Sequence, residues 1–252
     1  MKKIIVIIMI LISQVTLAIT GSEILNKVDE LGSLDRDTTA KVKLTIKEKG
    51  QGIKVEELLY YRKDSADSFL IVFTAPSNER GNGYLKNGDN IWLYKKNTRT
   101  FQFVNSNEVI GSSRATAEDF EEKKLADMYN VVKDKSGKEI IEEVKLGNKN
   151  CYKIEVKAKN NKVKNPKRIY WIDKESFLPL QVENYSLSGK LTETIQFGSY
   201  KKIENSYIST KLLITDEFDN ENKTLVEISN ISTEKIPDKI FTKAYLENLN
   251  KC

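Results

Sequence analysis

The chain has 252 residues, 39% of them hydrophobic and 31% charged, a balance that fits a folded body and argues against a mainly disordered or fibrous protein. It contains no histidine, which excludes a Ser-His-Asp triad, a Cys-His dyad, an HExxH zinc site and a histidine-held haem. Lys and Arg number 41 against 36 Asp and Glu, for a formal charge of +5.

Residues 1–18 read as a secretion signal. Met1-Lys2-Lys3 gives a positive start, Ile4 to Ile12 is an almost unbroken apolar run, and Thr16-Leu17-Ala18 offers small residues at the positions a signal peptidase inspects. The alternative is a membrane anchor, but the run is about half of the ~20 residues that span a bilayer. No later stretch is long enough to span. Ala18 is followed by Ile19-Thr20-Gly21, without the cysteine that lipid modification requires, so the mature chain is expected to be soluble and unacylated. Loss of Lys2 and Lys3 lowers the formal charge from +5 to +3.

The first mature segment, Ser22 to Leu34, places Ile24, Leu25, Val28 and Leu31 on one stripe, with Ser22 as cap and Gly32 as stop, and predicts a short amphipathic helix. The period then changes from about 3.6 to 2. In 41–47 Val42, Leu44 and Ile46 alternate with Lys41, Lys43, Thr45 and Lys47. The same alternation, bounded by turns such as Asn87-Gly88-Asp89 and Ser188-Gly189, predicts fourteen strands. They lie near 39–49, 52–63, 67–74, 82–87, 90–96, 99–104, 129–136, 139–146, 150–159, 167–173, 178–186, 190–199, 206–218 and 223–234.

This is an antiparallel meander, wet on one face and apolar on the other, and its apolar face needs a cover. The candidates are the first helix, a helix over 116–128 capped by Thr116 with Phe120, Leu125 and Met128 as contacts, and a short tail helix after Pro237-Asp238. No linker, repeat or low-complexity segment breaks the run, so residues 19–252 are expected to form one domain.

Other chemistry is thinly represented. The densest cationic run, Lys157 to Arg168, holds no aromatic residue and reads as a solvated loop with no nucleic-acid footprint, although an anionic membrane surface would attract it. Adjacent carboxylates such as Glu56-Glu57 point to opposite faces of a strand and cannot share a substrate. Asp216 to Glu221 lacks the glycine and spacing of a calcium loop and reads as a hairpin tip. No enzyme, metal or cofactor is expected. Cys151 and Cys252, in an exported chain, are candidates for a disulfide that ties the tail to the sheet; two unpaired thiols are the alternative.

Residues 69–120 carry a resemblance. Phe73-Thr74-Ala75-Pro76, Arg80-Gly81, Gly83 to Tyr94 with Trp92, Ile110-Gly111-Ser112-Ser113 and Glu118-Asp119-Phe120 follow one another as in the LolA-like outer-membrane lipoprotein-sorting proteins. The tail from Ile236-Pro237-Asp238 to Leu246 is similar to that family's closing segment. Where the family has an aspartate and an aromatic after its Gly-Ser, this chain has Ser113 and Arg114.

The resemblance implies a mainly β fold: a strongly curved, incompletely closed antiparallel sheet, or half-barrel, with a few short helices covering the concave face. It also implies a periplasmic carrier that shields acyl chains of lipoproteins or of another lipid between the inner and outer membranes. The expected partners are an acylated lipoprotein or lipid and an inner-membrane exporter, with transient membrane contact and a monomeric chain. The alternative role is a periplasmic sensor or adaptor that uses the same sheet to bind a protein, such as an envelope-stress regulator or a lipid exporter. Apolar rows at Phe69, Ile71 and Phe73, at Trp92 and Tyr94, and at Phe101 and Phe103 are candidates for the cavity wall or for ordinary core. Phe120, Leu125 and Met128 are candidates for its cover, and Arg80 is expected either at the rim, holding a lid, or in a structural ion pair.

Overall fold

A computed structural model describes residues 19–106, 108–112, 115–116, 120, 124–161 and 163–249. The signal segment 1–18 and Cys252 lie outside the described residues, and the disulfide expectation with them. Cys151 is fully buried.

Helix α1 spans Gly21–Gly32 and buries Ile24, Leu25 and Val28. Its cap is Thr20 rather than Ser22: the Glu23 amide donates to the Thr20 hydroxyl, and the Glu23 carboxylate accepts from the Thr20 amide. Ser22 is already in the first turn, where its amide donates to Glu139 Oε2 at 2.9 Å.

Fourteen strands follow in the expected places. They are β1 (Thr38–Glu48), β2 (Gly52–Lys63), β3 (Ser68–Ala75), β4 (Gly83–Asn87), β5 (Asn90–Lys95), β6 (Thr100–Val104), β7 (Tyr129–Val131), β8 (Glu142–Leu146), β9 (Lys149–Ala158), β10 (Lys167–Asp173), β11 (Pro179–Tyr185), β12 (Leu191–Ile203), β13 (Ser206–Asp216) and β14 (Lys223–Ser232). All belong to one antiparallel sheet ordered β6-β5-β4-β3-β2-β1-β14-β13-β12-β11-β10-β9-β7, with β8 also paired to β9. The sheet does not close, because β6 and β7 do not pair. Its order follows from one long-range event: β14 returns to pair with β1, as in Val42 with Ile228 and Leu44 with Val226, and so joins the first six strands to the rest. Register shifts in β1, β2, β10 and β11 add the local bends a curved sheet needs. The fold is a half-barrel.

Of the predicted helix at 116–128, Leu125–Met128 is helical as α2, while 117–119 and 121–123 lie outside the described residues. Thr116 is buried and forms an isolated β-bridge with Val109. α2 is anchored to α1, whose Asp29 carboxylate accepts from the Leu125 and Ala126 amides at 2.8 and 2.9 Å. Burial pushes the Asp29 carboxyl above its ordinary range, against the pull of those two bonds.

The core is split by the sheet. One cluster on the inner face joins Val42, Leu44, Ile46, Leu58, Phe69, Ile71, Phe73 and Ile110. A second, beneath α1, joins Ile24, Leu25, Val28, Ile154, Val156, Tyr170 and Val182, with Leu125 and Met128 packed against it. A third lies on the outer face, where a 3₁₀ turn (Asp238–Phe241) and α3 (Lys243–Asn248) cover Leu70, Val72, Leu85 and Tyr94. Leu246 is fully buried there, against Gly83, where a Cβ would fall 2.4 Å from the Ile71 carbonyl oxygen. The tail helix therefore does not cover the inner face.

Candidate functional site

The inner face packs itself shut over β3 to β6 but not over the middle of the sheet. There the wall encloses a cavity of about 540 Å³. Its lining is mostly aliphatic and aromatic: Val42 and Leu44 from β1, Ile195 and Phe197 from β12, Leu212 and Ile214 from β13, and Val226 and Ile228 from β14. Cross-strand pairing builds the wall, since Phe197 faces Leu212, Leu212 faces Val226 and Val226 faces Leu44. Val28 and Leu34 bound the cavity from α1 and the loop after it, and Phe120 bounds it beside Tyr60.

Phe120 and residues 110–112 are fastened at several points. The Tyr60 hydroxyl donates to the Phe120 carbonyl at 2.5 Å, and the two rings lie 5.5 Å apart. Nearer β2's start, the fully buried Glu56 carboxylate accepts from the Ser112 amide at 3.2 Å and pairs with Lys54 at 2.7 Å. Lys54 also donates to the Ser112 hydroxyl. Gly111, at φ +60°, is required here because a Cβ would stand 2.5 Å from Glu56 Oε2 and 2.9 Å from the Phe73 ring.

Polar groups enter the wall at a few positions. Arg168, Asn184 and Glu193 are directly paired across β10, β11 and β12, and all three line the cavity with Lys164 nearby in sequence. Asn184, 1% exposed, donates from Nδ2 to Glu193 Oε2 at 2.8 Å; among the described residues its Oδ1 has no hydrogen-bond partner. The Arg168 guanidinium donates to the Tyr170 hydroxyl at 3.2 Å and lies 5.3 Å from the Tyr129 ring centre. Arg62, paired with Thr38 on β1, is neutralised by Asp64 at 3.0 Å. Tyr200 donates to the Pro179 carbonyl at 2.6 Å, and burial raises its phenol well above the usual range.

Of the residues selected from the sequence, Phe120 lines the cavity. Phe69, Ile71 and Phe73 share the inner face but are packed into its closed part. Trp92, Tyr94 and Phe101 sit on the outer face under the tail, which corrects their expected place on the wall. The reason is strand parity across the pairs Leu85 with Trp92 and Tyr94 with Phe101, which align these rings with Leu70 rather than with Phe69. Phe103 is 59% exposed opposite Trp92. Leu125 and Met128 pack against α1's cluster. Arg80 lies off the cavity wall; its Nε donates to the Thr74 carbonyl at 3.0 Å, and Gly81, at φ +90°, donates back to the Phe73 carbonyl, so this pair closes the turn into β4.

The polar row was missed in the sequence because Lys164 and Arg168 end the run that reads as a solvated loop. Only the pairing of Arg168 with Asn184 brings it inward.

Comparison with solved structures gives the same fold. A LolA superfamily protein from Nitrosomonas europaea superimposes with a TM-score of 0.74 at 20% identity, over 90% of this chain and 100% of the other. An outer membrane lipoprotein-sorting protein domain from Vibrio parahaemolyticus gives 0.75 at 19% identity over 90% and 98%. A DUF1329 family protein from Desulfovibrio piger gives 0.76 at 19% over 90% and 97%. No curated protein matches the sequence. A family model described as an uncharacterized protein matches residues 65–248. The chain thus belongs to the family that this model describes, and its fold is that of the LolA superfamily.

Proposed function

We propose that the mature chain is a periplasmic carrier, without catalytic activity, that shields an acyl chain of a lipoprotein or another lipid in the inner-face cavity. The observation that carries this reading is the unfilled stretch of apolar wall at Ile195, Phe197, Leu212 and Val226, whose side chains are only partly buried although they face inward. Energetics define the task. Burying a chain of ~16 carbons from water is worth on the order of 10 kcal/mol, so unaided passage between membranes is negligible. A carrier pocket must nearly match the bilayer as a solvent, or it would not release its cargo.

Among the described residues no helix is long and apolar enough to cross a membrane. The signal-like residues 1–18 support export, and cargo would be exchanged by transient contact with a membrane or an inner-membrane exporter.

The test is to change Leu212 and Ile195 singly to Glu and to measure melting temperature beside binding of a fluorescent acyl probe. A charge at a cavity wall can be hydrated, whereas one in a packed core costs several kcal/mol. Both variants are expected to melt close to the parent and to lose probe binding. Unchanged binding in both would refute the carrier reading.

A further inference from the structure

Antiparallel register brings four turns to one end of the sheet. Glu48 pairs with Gly52, Glu193 with Asp216, Tyr185 with Leu191, and Lys157 with Lys167, which in turn faces Tyr185. The β1–β2, β13–β14, β11–β12 and β9–β10 turns therefore share one rim. Two bonds tie neighbouring members together: the Lys49 amide donates to Asn222 Oδ1 at 2.7 Å, and the Glu217 amide to the Thr192 carbonyl at 3.0 Å.

Three of these turns carry an apolar side chain where turn chemistry favours polar ones. Leu187 is 92% exposed, and Phe218 and Ile53 are each 69% exposed. The backbones that present them are held in place. The Ser186 amide donates to the Lys190 carbonyl and the Gly189 amide to the Ser186 carbonyl, each at 2.9 Å, and the Phe218 amide donates to Asp216 Oδ1 at 2.9 Å. Covering a leucine or phenylalanine favours the covered state by about tenfold or more. Here the three side chains stand on separate hairpins, with Ser186, Ser188, Asp219 and Gln51 among them, and so do not make the continuous apolar centre that a protein interface buries. Isolated tips suit a surface that is apolar just beneath a polar layer, the head-group boundary of a bilayer. Exposed Lys157, Lys159 and Lys190 lie on the same rim and complement anionic heads, Lys159 while donating to the Ala126 carbonyl at 2.6 Å. Lys49 is engaged by Asp219 and Glu221 at 3.3 and 3.2 Å, so the tips rather than charge carry the contact on that side.

We infer that this rim is the face by which the chain touches a lipid bilayer, with Leu187, Phe218 and Ile53 entering the head-group boundary. The inference rests on the carrier reading for its purpose and adds the docking surface to it. Glu193, on the cavity wall, faces Asp216, which stands two residues before Phe218. Cargo exchanged at this end of the wall thus passes beside the tips that hold the membrane.

The experiment is co-sedimentation of the full mature chain with vesicles of phosphatidylethanolamine and phosphatidylglycerol. Leu187→Ser and Phe218→Ser are each expected to weaken partitioning about tenfold, and together more than either alone. Phe103→Ser, which removes an equally exposed ring from edge strand β6, is expected to leave partitioning unchanged. All these variants are expected to melt with the parent and to bind the acyl probe as it does, because none of the three residues lines the cavity. In F218W the added tryptophan emission, taken as the difference from the parent, is expected to shift to the blue on vesicles and to be quenched by brominated lipid. A parent chain that does not sediment, tip variants that sediment as the parent does, an equal loss in Phe103→Ser, or an F218W emission that vesicles leave unchanged would overturn the rim inference while leaving the carrier reading intact. A parent chain that sediments through its tips but binds no acyl probe would overturn the carrier reading alone.

Discussion

Glu56 carries a buried carboxylate onto the inner face while its neighbour Glu57 points to solvent, and the difference is strand parity alone. The buried one is satisfied by the Ser112 amide and by Lys54, and Gly111 must pass close over it. Gly111→Ala therefore meets two penalties, a left-handed φ and contact with both Glu56 and the Phe73 ring. A destabilisation of about 1–3 kcal/mol is expected, which for a chain of this length lowers the melting temperature by about 2–4 °C per kcal/mol. Thermal melts of the two proteins check it, and identical melting would show that the loop does not sit on Glu56. Glu56→Ala is expected to raise amide exchange in 108–112 more than in β2, because the carboxylate holds the loop and not the strand.

At the scale of elements, the tail and the first helix have separate duties. α3 and the 3₁₀ turn seal the outer face, where Lys243 lies 4.3 Å from the Trp92 ring centre and Leu246 fills the space over Gly83. Leu246→Ala is expected to cost about 2–5 kcal/mol and to shift Trp92 fluorescence, while acyl-probe binding per folded molecule stays unchanged. Lost binding at full folding would place the tail at the cavity after all.

The α1–α2 joint is pH-sensitive through Asp29. Its carboxyl is raised above the ordinary 3.8 in the folded state, so between 3.8 and the raised value the folded chain holds the proton that the unfolded chain has released. Stability from this group is thus fully present below 3.8 and falls as pH rises through the folded value. Asp29→Asn is expected to flatten that decline, as read from urea midpoints taken across the acidic range. An unaltered slope would assign the decline to other groups.

At the scale of the whole molecule, one pairing joins the described strands into one sheet. β1 and β14, separated by most of the sequence, join the first six strands to the rest, and no second sheet exists among the described residues. The two tryptophans report on opposite halves, Trp92 on β5 and Trp171 on β10. Single-tryptophan variants W92F and W171F are expected to give coincident denaturant transitions, as a one-domain chain requires. Separated midpoints would divide 19–252 into two folding units.

What the sequence determined by itself was local. Period-2 alternation and glycine turns placed all fourteen strands within a few residues, and the helix stripe of Ile24, Leu25 and Val28 was equally plain, because backbone period and turn chemistry are properties of neighbours. The ordered motifs from Phe73 to Phe120 and the tail after Ile236 also sufficed for the fold resemblance. Alternation marks which side chains share a face, but it does not say which face becomes the inside when both are apolar. On β3 to β6 both are, and there the rings of Trp92, Tyr94 and Phe101 were put on the wrong side. Of the helix expected over 116–128, Leu125–Met128 is helical, and Thr116 makes a β-bridge to Val109 that no local pattern announces. Tertiary structure alone decided where the wall stays open and which charges reach it. Arg168, Asn184 and Glu193 stand on three consecutive strands and are unremarkable in the sequence; they become one row because antiparallel register sets them side by side and curvature turns that side inward.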